Sequence, residues 1–251
     1  LATVDAENKG IDHDVRIMIP NVTTFAELKQ IRTQAEAVID AVNERKGTDL
    51  KFQIGSMIEF PRAAATADQI AEYADFFSFG TNDLTQTTLG FSRDDYGKFI
   101  DSYLDQKVLD SDPFKTLDAD GVGAMIEIAE AKGRSVDPSL HLGICGEHGG
   151  DPASIELCYK LGLNYVSCSP FRVPAARLAG AQAVIKAAKA EKGEKAPAKR
   201  GRKAASAKAE KKTTTRGRKA AAEKKTTTRG RKASASKTEK KSTRGRKSKS
   251  K

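Results

Sequence analysis

I-G-S-M-I-E-F-P-R-A-A-A at residues 54–65 and F-F-S-F-G-T-N-D-L-T-Q at residues 76–86 decide the fold. Each apolar run ends in a carboxylate, Glu59 and Asp83, where a turn begins. Between them A-T-A-D-Q-I-A-E-Y-A has the composition and spacing of a helix. The stretch reads as a β-α-β unit with an acid at the carboxyl end of both strands. In parallel α/β folds those ends carry the ligands. Two hard oxygen donors there suit a magnesium ion shared with a phosphorylated substrate. The turn Gly80, Thr81, Asn82 adds free backbone N–H groups and small polar side chains for an anion. Either acid alone would ordinarily be a helix cap or a solvated loop residue. Their equivalent positions on neighbouring strands favour the metal and phosphate.

Outward from this unit the pattern repeats. R-I-M-I-P at residues 16–20 is a short buried-strand signal, and Thr23 or Thr24 caps the helix after it. In that helix Phe25, Leu28, Ile31, Val38, Ile39 and Val42 approximate one face. The second strand spans residues 53–60 and the third residues 76–79. Residues 92–120 form a long polar excursion, a length usual for functional lids or partly ordered segments. A helix at residues 121–134 leads to a fourth strand, residues 140–145, ending in G-E-H-G-G-D-P. Asp151 can cap the next helix and Pro152 start it. A fifth strand spans residues 164–170 and a last helix follows. Five β-α units favour a parallel sheet. Five are too few to close a (β/α)8 barrel, and an open doubly wound sheet remains an alternative on pattern alone.

Cys145 stands at the same strand end as Glu59 and Asp83. A cysteine there is ordinarily a small core residue. The functional reading is a thiol that gives or takes a proton, with Glu147 and His148 near enough to affect its pKa. Cys158 in a helix and Cys168 in a strand read as core, and the three cysteines show neither a metal-ligand spacing nor a disulfide framework. His141 and His148 read as hydrogen-bonding structural histidines. Arg93 could meet a phosphate, though by default it is a surface charge.

Charge divides the chain. Residues 1–185 hold 17 Lys/Arg against 28 Asp/Glu, a net of −11, whereas residues 186–251 hold 27 against 5, a net of +22. R-G-R-K occurs four times in the second part, at residues 200–203, 216–219, 229–232 and 244–247. Repeats this short and charged cannot bury enough surface to fold, so residues 186–251 read as a low-complexity, disordered basic tail. Its R-G-R cores resemble AT-hooks without their flanking prolines, and its composition is similar to histone H1 tails. Affinity for DNA or another polyanion follows, with strong salt dependence. No signal peptide and no apolar run of membrane length is seen, which makes the cytoplasm the default compartment. The first residue is Leu1, which suggests a piece of a longer protein.

G-S-M-I-E-F-P-R-A, F-F-S-F-G-T-N-D-L-T-Q, G-I-C-G-E-H-G-G-D-P and N-Y-V-S-C-S-P-F-R-V-P-A-A-R-L closely resemble the carboxyl-terminal PEP/pyruvate-binding domain of the pyruvate phosphate dikinase family. More distantly they are similar to phosphoenolpyruvate synthase and Enzyme I of the sugar phosphotransferase system. The resemblance implies that residues 1–185 are the last five β-α units of a (β/α)8 TIM-type barrel, with the first three strands and their arginines lacking. It implies Mg2+ held by Glu59 and Asp83, and a substrate loop of Gly80, Thr81, Asn82 and Asp83. It further implies Cys145 as general acid and Arg93 as a phosphate contact of the Enzyme I branch. The family reaction interconverts ATP, pyruvate and phosphate with AMP, PEP and pyrophosphate through a phosphohistidine on a swivelling domain. The implied partners are PEP or pyruvate, the phosphohistidine and ATP-grasp domains not found in this sequence, and a second barrel domain in a homodimer. With those parts lacking, a chain inactive by itself is the expectation. The competing reading is a barrel remnant that carries a nucleic-acid-binding tail.

Overall fold

The computed structural model describes residues 1–191. A short helix α1 (Ala2–Asn8) precedes five strands: β1 (Arg16–Ile19), β2 (Gln53–Ile58), β3 (Phe76–Gly80), β4 (His141–Cys145) and β5 (Tyr165–Val166). They form one parallel sheet in the order β1-β2-β3-β4-β5. A doubly wound sheet reverses its strand order at a switch point. This sheet never reverses, so each unit is laid beside the last as in successive units of a (β/α)8 barrel.

The register divides the sheet into two unlike faces. Ile17, Ile19, Ile54, Ile58, Phe77, Phe79, Leu142 and Ile144 face one way and belong to the main apolar core. They pack with Leu28 of α2 (Phe25–Lys46), Ala63 and Ala64 of α3 (Pro61–Ala65), Ala67 and Ile70 of α4 (Ala67–Ala71), and Val122, Ile126 and Ala129 of α7 (Val122–Val136). The other face, by alternation, carries Arg16, Phe76, Ser78, Gly80, His141, Gly143, Cys145 and Tyr165. This second face mixes small and polar residues with the Phe76 and Tyr165 rings, whereas the first is almost entirely branched and aromatic.

Helix boundaries follow local signals. Thr24, not Thr23, caps α2, and Glu27 completes a capping box by accepting from the Thr24 N–H at 2.8 Å. Pro61 starts α3, which stops β2 at Ile58 and puts Glu59 just beyond the strand. The single helix expected at residues 65–74 is two: Thr66 leaves helical geometry (φ −121°, ψ 29°) and turns its hydroxyl onto the Arg62 carbonyl. Asp151 accepts from the Ser154 N–H at 2.9 Å and caps α8 (Pro152–Lys160), as its position before a proline indicates. The fifth strand is only two residues, so Cys168 lies in the loop after it, half-buried, beside a small cluster of Ile155, Ala176 and Ala179. The final helix α9 (Val173–Glu191) continues past Lys186.

Residues 92–120 are packed rather than partly ordered. They contain a 3-10 turn at Tyr96–Lys98 and α6 (Ile100–Asp105) and follow α5 (Thr81–Leu89). Phe91, Phe99 and Tyr103 meet edge-on or tilted with centroids 5.0–6.1 Å apart, and Tyr96 lies 4.6 Å from Phe114. Phe114 and Leu117 are buried, and the Leu117 N–H donates to Ser154 Oγ at 2.9 Å. The four R-G-R-K repeats, and any DNA or polyanion contact through them, lie outside the described residues.

Candidate active site

At the carboxyl ends of β2, β3 and β4, Glu59, Gly80 and Cys145 come together. Glu59 is 4% exposed, and its Oε2 accepts the Asn21 N–H at 2.8 Å. A Cβ at residue 80 would fall 2.2 Å from Glu59 Oε1, so only glycine leaves room for this carboxylate. Asp83 stands in the first turn of α5. Burial above all, and then the neighbouring Asp83 charge, raises the Glu59 pKa against the opposing Asn21 hydrogen bond. Among the described residues neither acid forms an ion pair.

Two adjoining carboxylates, one buried and both without a cation, form a donor set that fits a hard divalent ion. No third Asp, Glu, His or Cys joins them in a metal-binding group among the described residues. A magnesium ion held here would therefore complete its shell with substrate oxygens and water.

The loop that follows β3 is fixed from behind. His148 is fully buried, with Nδ1 2.8 Å from Thr81 Oγ1 and Nε2 2.8 Å from the Pro113 carbonyl. A carbonyl can only accept, so Nε2 carries a proton. Burial lowers the His148 pKa, and the Thr81 hydroxyl beside Nδ1 also lies 3.1 Å from the Cys145 carbonyl, to which it donates. One imidazole thus ties the excursion to the loop after β3. Asn82 Oδ1 is buried without a hydrogen-bond partner, a polar group left over for a ligand.

Cys145 is half-buried and pairs in register with Gly80, with Sγ 3.7 Å from the Phe79 carbonyl. Its pKa is raised, first by burial and then by the charges of Glu59 and Asp83, while Ser78 opposes the shift. The expectation that Glu147 and His148 are near enough to affect this thiol's pKa is corrected: neither is among the groups that shift it, Glu147 lying beside Arg93 and His148 against Thr81 and Pro113. Ser78 Oγ makes no hydrogen bond of normal geometry, yet it is close enough to the Cys145 thiol and the Tyr165 phenol to pull both pKa values down. The Tyr165 ring reaches that position by lying flat over Gly143, where a Cβ would be 2.3 Å from the ring.

Arg93 is held at the rim. Its guanidinium is 3.4 Å from Glu147 and 5.9 Å from the centre of the Phe114 ring, and it makes no hydrogen bond to Glu59, Asp83 or Cys145. Beyond Asn82 a cavity of about 340 Å³ opens between the loops after β4 and β5. Histidine 141 is structural, stacked on Tyr165 at 5.3 Å, and Cys158 is core.

Residues 2–185 match the family described as PEP-utilising enzyme, PEP-binding domain. The chain belongs to that family. Among similar proteins, pyruvate, phosphate dikinase of Clostridium symbiosum is 60% identical over 179 residues, which are 71% of this chain and 20% of the relative. The chloroplastic enzyme of Mesembryanthemum crystallinum is 54% identical over 183 residues, covering 73% of this chain and 19% of its own. Pyruvate, phosphate dikinase of Rhizobium meliloti is 57% identical over 169 residues, covering 67% and 19%. The PEP-binding domain thus spans about a fifth of the length of the curated relatives it matches. A solved citrate lyase of Burkholderia xenovorans LB400 aligns with a TM-score of 0.45 at 14% identity, covering 71% of this chain and 55% of that one. No helix among the described residues is long and apolar enough to cross a membrane.

Sequence reasoning about this PEP-binding domain missed Ser78 and Tyr165. Their signal was the alternation of F-F-S-F and the glycine of H-L-G-I-C, which puts a hydroxyl and an empty position on the face that bears Cys145.

Proposed function

We propose that the chain is the PEP/pyruvate half-site of a pyruvate phosphate dikinase reaction. The convergence of Glu59, Asp83 and Cys145 at three adjacent strand ends supports this most strongly. Glu59 and Asp83 would hold Mg2+, which would supply positive charge against the negative charge that develops on phosphate and enolate oxygens. Gly80, Thr81 and Asn82 seat the substrate, and Arg93 reaches its phosphate from the rim.

Transfer of the phosphoryl group from PEP to a histidine leaves the enolate of pyruvate. The Cys145 S–H gives its proton to the methylene carbon, forming the methyl group of pyruvate and a thiolate. In reverse the thiolate takes a methyl proton. Burial keeps the thiol protonated near neutrality, the state an acid needs. The phosphohistidine and ATP-grasp domains supply the rest of the cycle, with two barrel domains pairing in a cytoplasmic homodimer. The sequence has no Gly-rich nucleotide loop, so the chain by itself does not turn over ATP.

Titration with oxalate or PEP tests this reading. Binding should require magnesium and vanish in Glu59→Ala and in Asp83→Ala. Magnesium-independent binding that survives both substitutions would refute it. In enzyme reconstituted with its other domains, Cys145→Ser should stop solvent-proton exchange at the pyruvate methyl and spare magnesium binding.

The net charge of +22 over residues 186–251 favours a second activity, polyanion binding by this basic segment. DNA affinity of the full chain should fall steeply with salt and disappear when residues 186–251 are deleted.

A further inference from the structure

The cavity between the loops after β4 and β5 has a charge imbalance that the proposed chemistry does not use. It is lined by Asn82, Gly146, Glu147, Ser167, Ser169 and Arg172, among others. Glu147 is already paired with Arg93. The Arg172 guanidinium makes no ion pair and no hydrogen bond among the described residues, which leaves it the cavity's uncompensated charge. Its aim is set by Gly150: a Cβ there would lie 2.2 Å from Arg172 Cδ, so the arginine stem rests flat against the β4 loop. The Ser167 and Ser169 hydroxyls and the Asn82 amide add neutral donors. Loops after the last two strands of a (β/α)8 barrel frequently form a phosphate site.

We propose that Arg172 makes this cavity a phosphate-binding subsite. A phosphate dianion sits between the guanidinium and the serine hydroxyls, accepting charge-assisted hydrogen bonds. The phosphate is either free or the phosphoryl group of PEP, and only the second source rests on the PEP reading above.

The test is calorimetric titration of the full chain with inorganic phosphate at low salt and without metal. Arg172→Ala should weaken binding about tenfold or more, the size of one hydrogen bond to a charged group. Arg172→Gln keeps the stem over Gly150 and should lose as much, which separates lost charge from a disturbed fold. Arg177→Ala, on the exposed side of α9, should match the parent, and the basic tail is common to every variant. Equal phosphate affinity in the parent and both Arg172 variants overturns the assignment, as does a parent that binds no phosphate.

Titration with PEP then separates the sources. Loss of PEP affinity in Arg172→Ala, with phosphate competing against PEP, assigns the subsite to the substrate's own phosphoryl group. Unchanged PEP affinity with simultaneous phosphate binding assigns it to free phosphate. Glu59→Gln checks the PEP reading separately: it should remove magnesium-dependent oxalate binding and leave metal-free phosphate affinity as it was.

Discussion

Replacing His148 should loosen the candidate site from behind, and its two ring contacts set the size of the effect. His148→Phe keeps a flat ring at the site but removes the bonds to Thr81 and Pro113, both 2.8 Å long in the parent. Each lost bond costs about 1 kcal/mol, and the buried Pro113 carbonyl, left unpaired, adds about 1–2 kcal/mol. His148→Phe should therefore destabilise by about 3–4 kcal/mol. His148→Ala adds a void and should cost about 4–5 kcal/mol. Urea unfolding followed by circular dichroism measures both, with the slope unchanged and the midpoint lowered. Limited proteolysis should find new cuts within residues 92–120, because the Pro113 tether is gone.

The pH dependence checks the same bond. Burial lowers the folded His148 pKa, so its contribution is complete above the unfolded value of about 6.5. That contribution is lost as the pH falls from there through the lower folded value. His148→Phe should erase this component of the acid destabilisation. A Phe variant within about 0.5 kcal/mol of the parent, below the scale of one hydrogen bond, would refute the tether.

Three further outcomes follow from local geometry. Gly149→Ala places a Cβ 2.0 Å from the Ser167 carbonyl oxygen, a backbone atom that cannot swing aside, and should cost about 3 kcal/mol in urea unfolding. Thr24→Ala should cost about 1 kcal/mol by uncapping α2. The Glu27 carboxylate in that box is held down to about 2, chiefly by the Thr23 hydroxyl and then by the Thr23 and Thr24 N–H groups. Its contribution is therefore full above the ordinary carboxylate range and lost as the pH falls toward 2, and circular dichroism of α2 should follow that window. Ser78→Ala removes a group that pulls the Cys145 pKa down, so the pH midpoint for alkylation of Cys145 should rise, read in a Cys168→Ser background.

The sheet and the position of the acids were legible because both depend on spacing within one segment. An apolar run closed by Glu59 and another running on to Asp83, separated by a helix, suit two parallel strands with the acids at the same end, and the structure puts Glu59 just past β2 and Asp83 in the first turn of the helix after β3. Singly wound topology was not legible, since the same units suit a doubly wound sheet until the strand order is known. The break at Thr66 escaped because a threonine hydroxyl can leave the helix for the Arg62 carbonyl without any change in composition. The packing of residues 92–120 escaped for a different reason. Its anchors, the Pro113 carbonyl and the Leu117 N–H, are backbone groups whose partners His148 and Ser154 lie 35 and 37 residues away.

The division between the two sheet faces explains why the candidate catalytic groups collect where they do. The apolar face is filled by helices, and adding a charge there would bury it without a partner. On the other face Tyr165 lies over Gly143, and Arg16 stands 5.8 Å from the Phe76 ring. In register the Tyr165 ring lies beside Gly143, two residue pairs below Gly80 and Cys145, and Phe76 lies four pairs below; together the rings form an apolar floor. A floor there would add to the burial that raises Glu59 and Cys145. Flattening that floor should then shift both groups together. In Tyr165→Ala the pKa values of Cys145 and Glu59 should both move toward their ordinary ranges as water enters, measured by alkylation rate and by carboxyl NMR titration. If Cys145 moved and Glu59 did not, burial by the floor would be local to the thiol. The carboxylate would then owe its shift to Asp83 and its own strand alone.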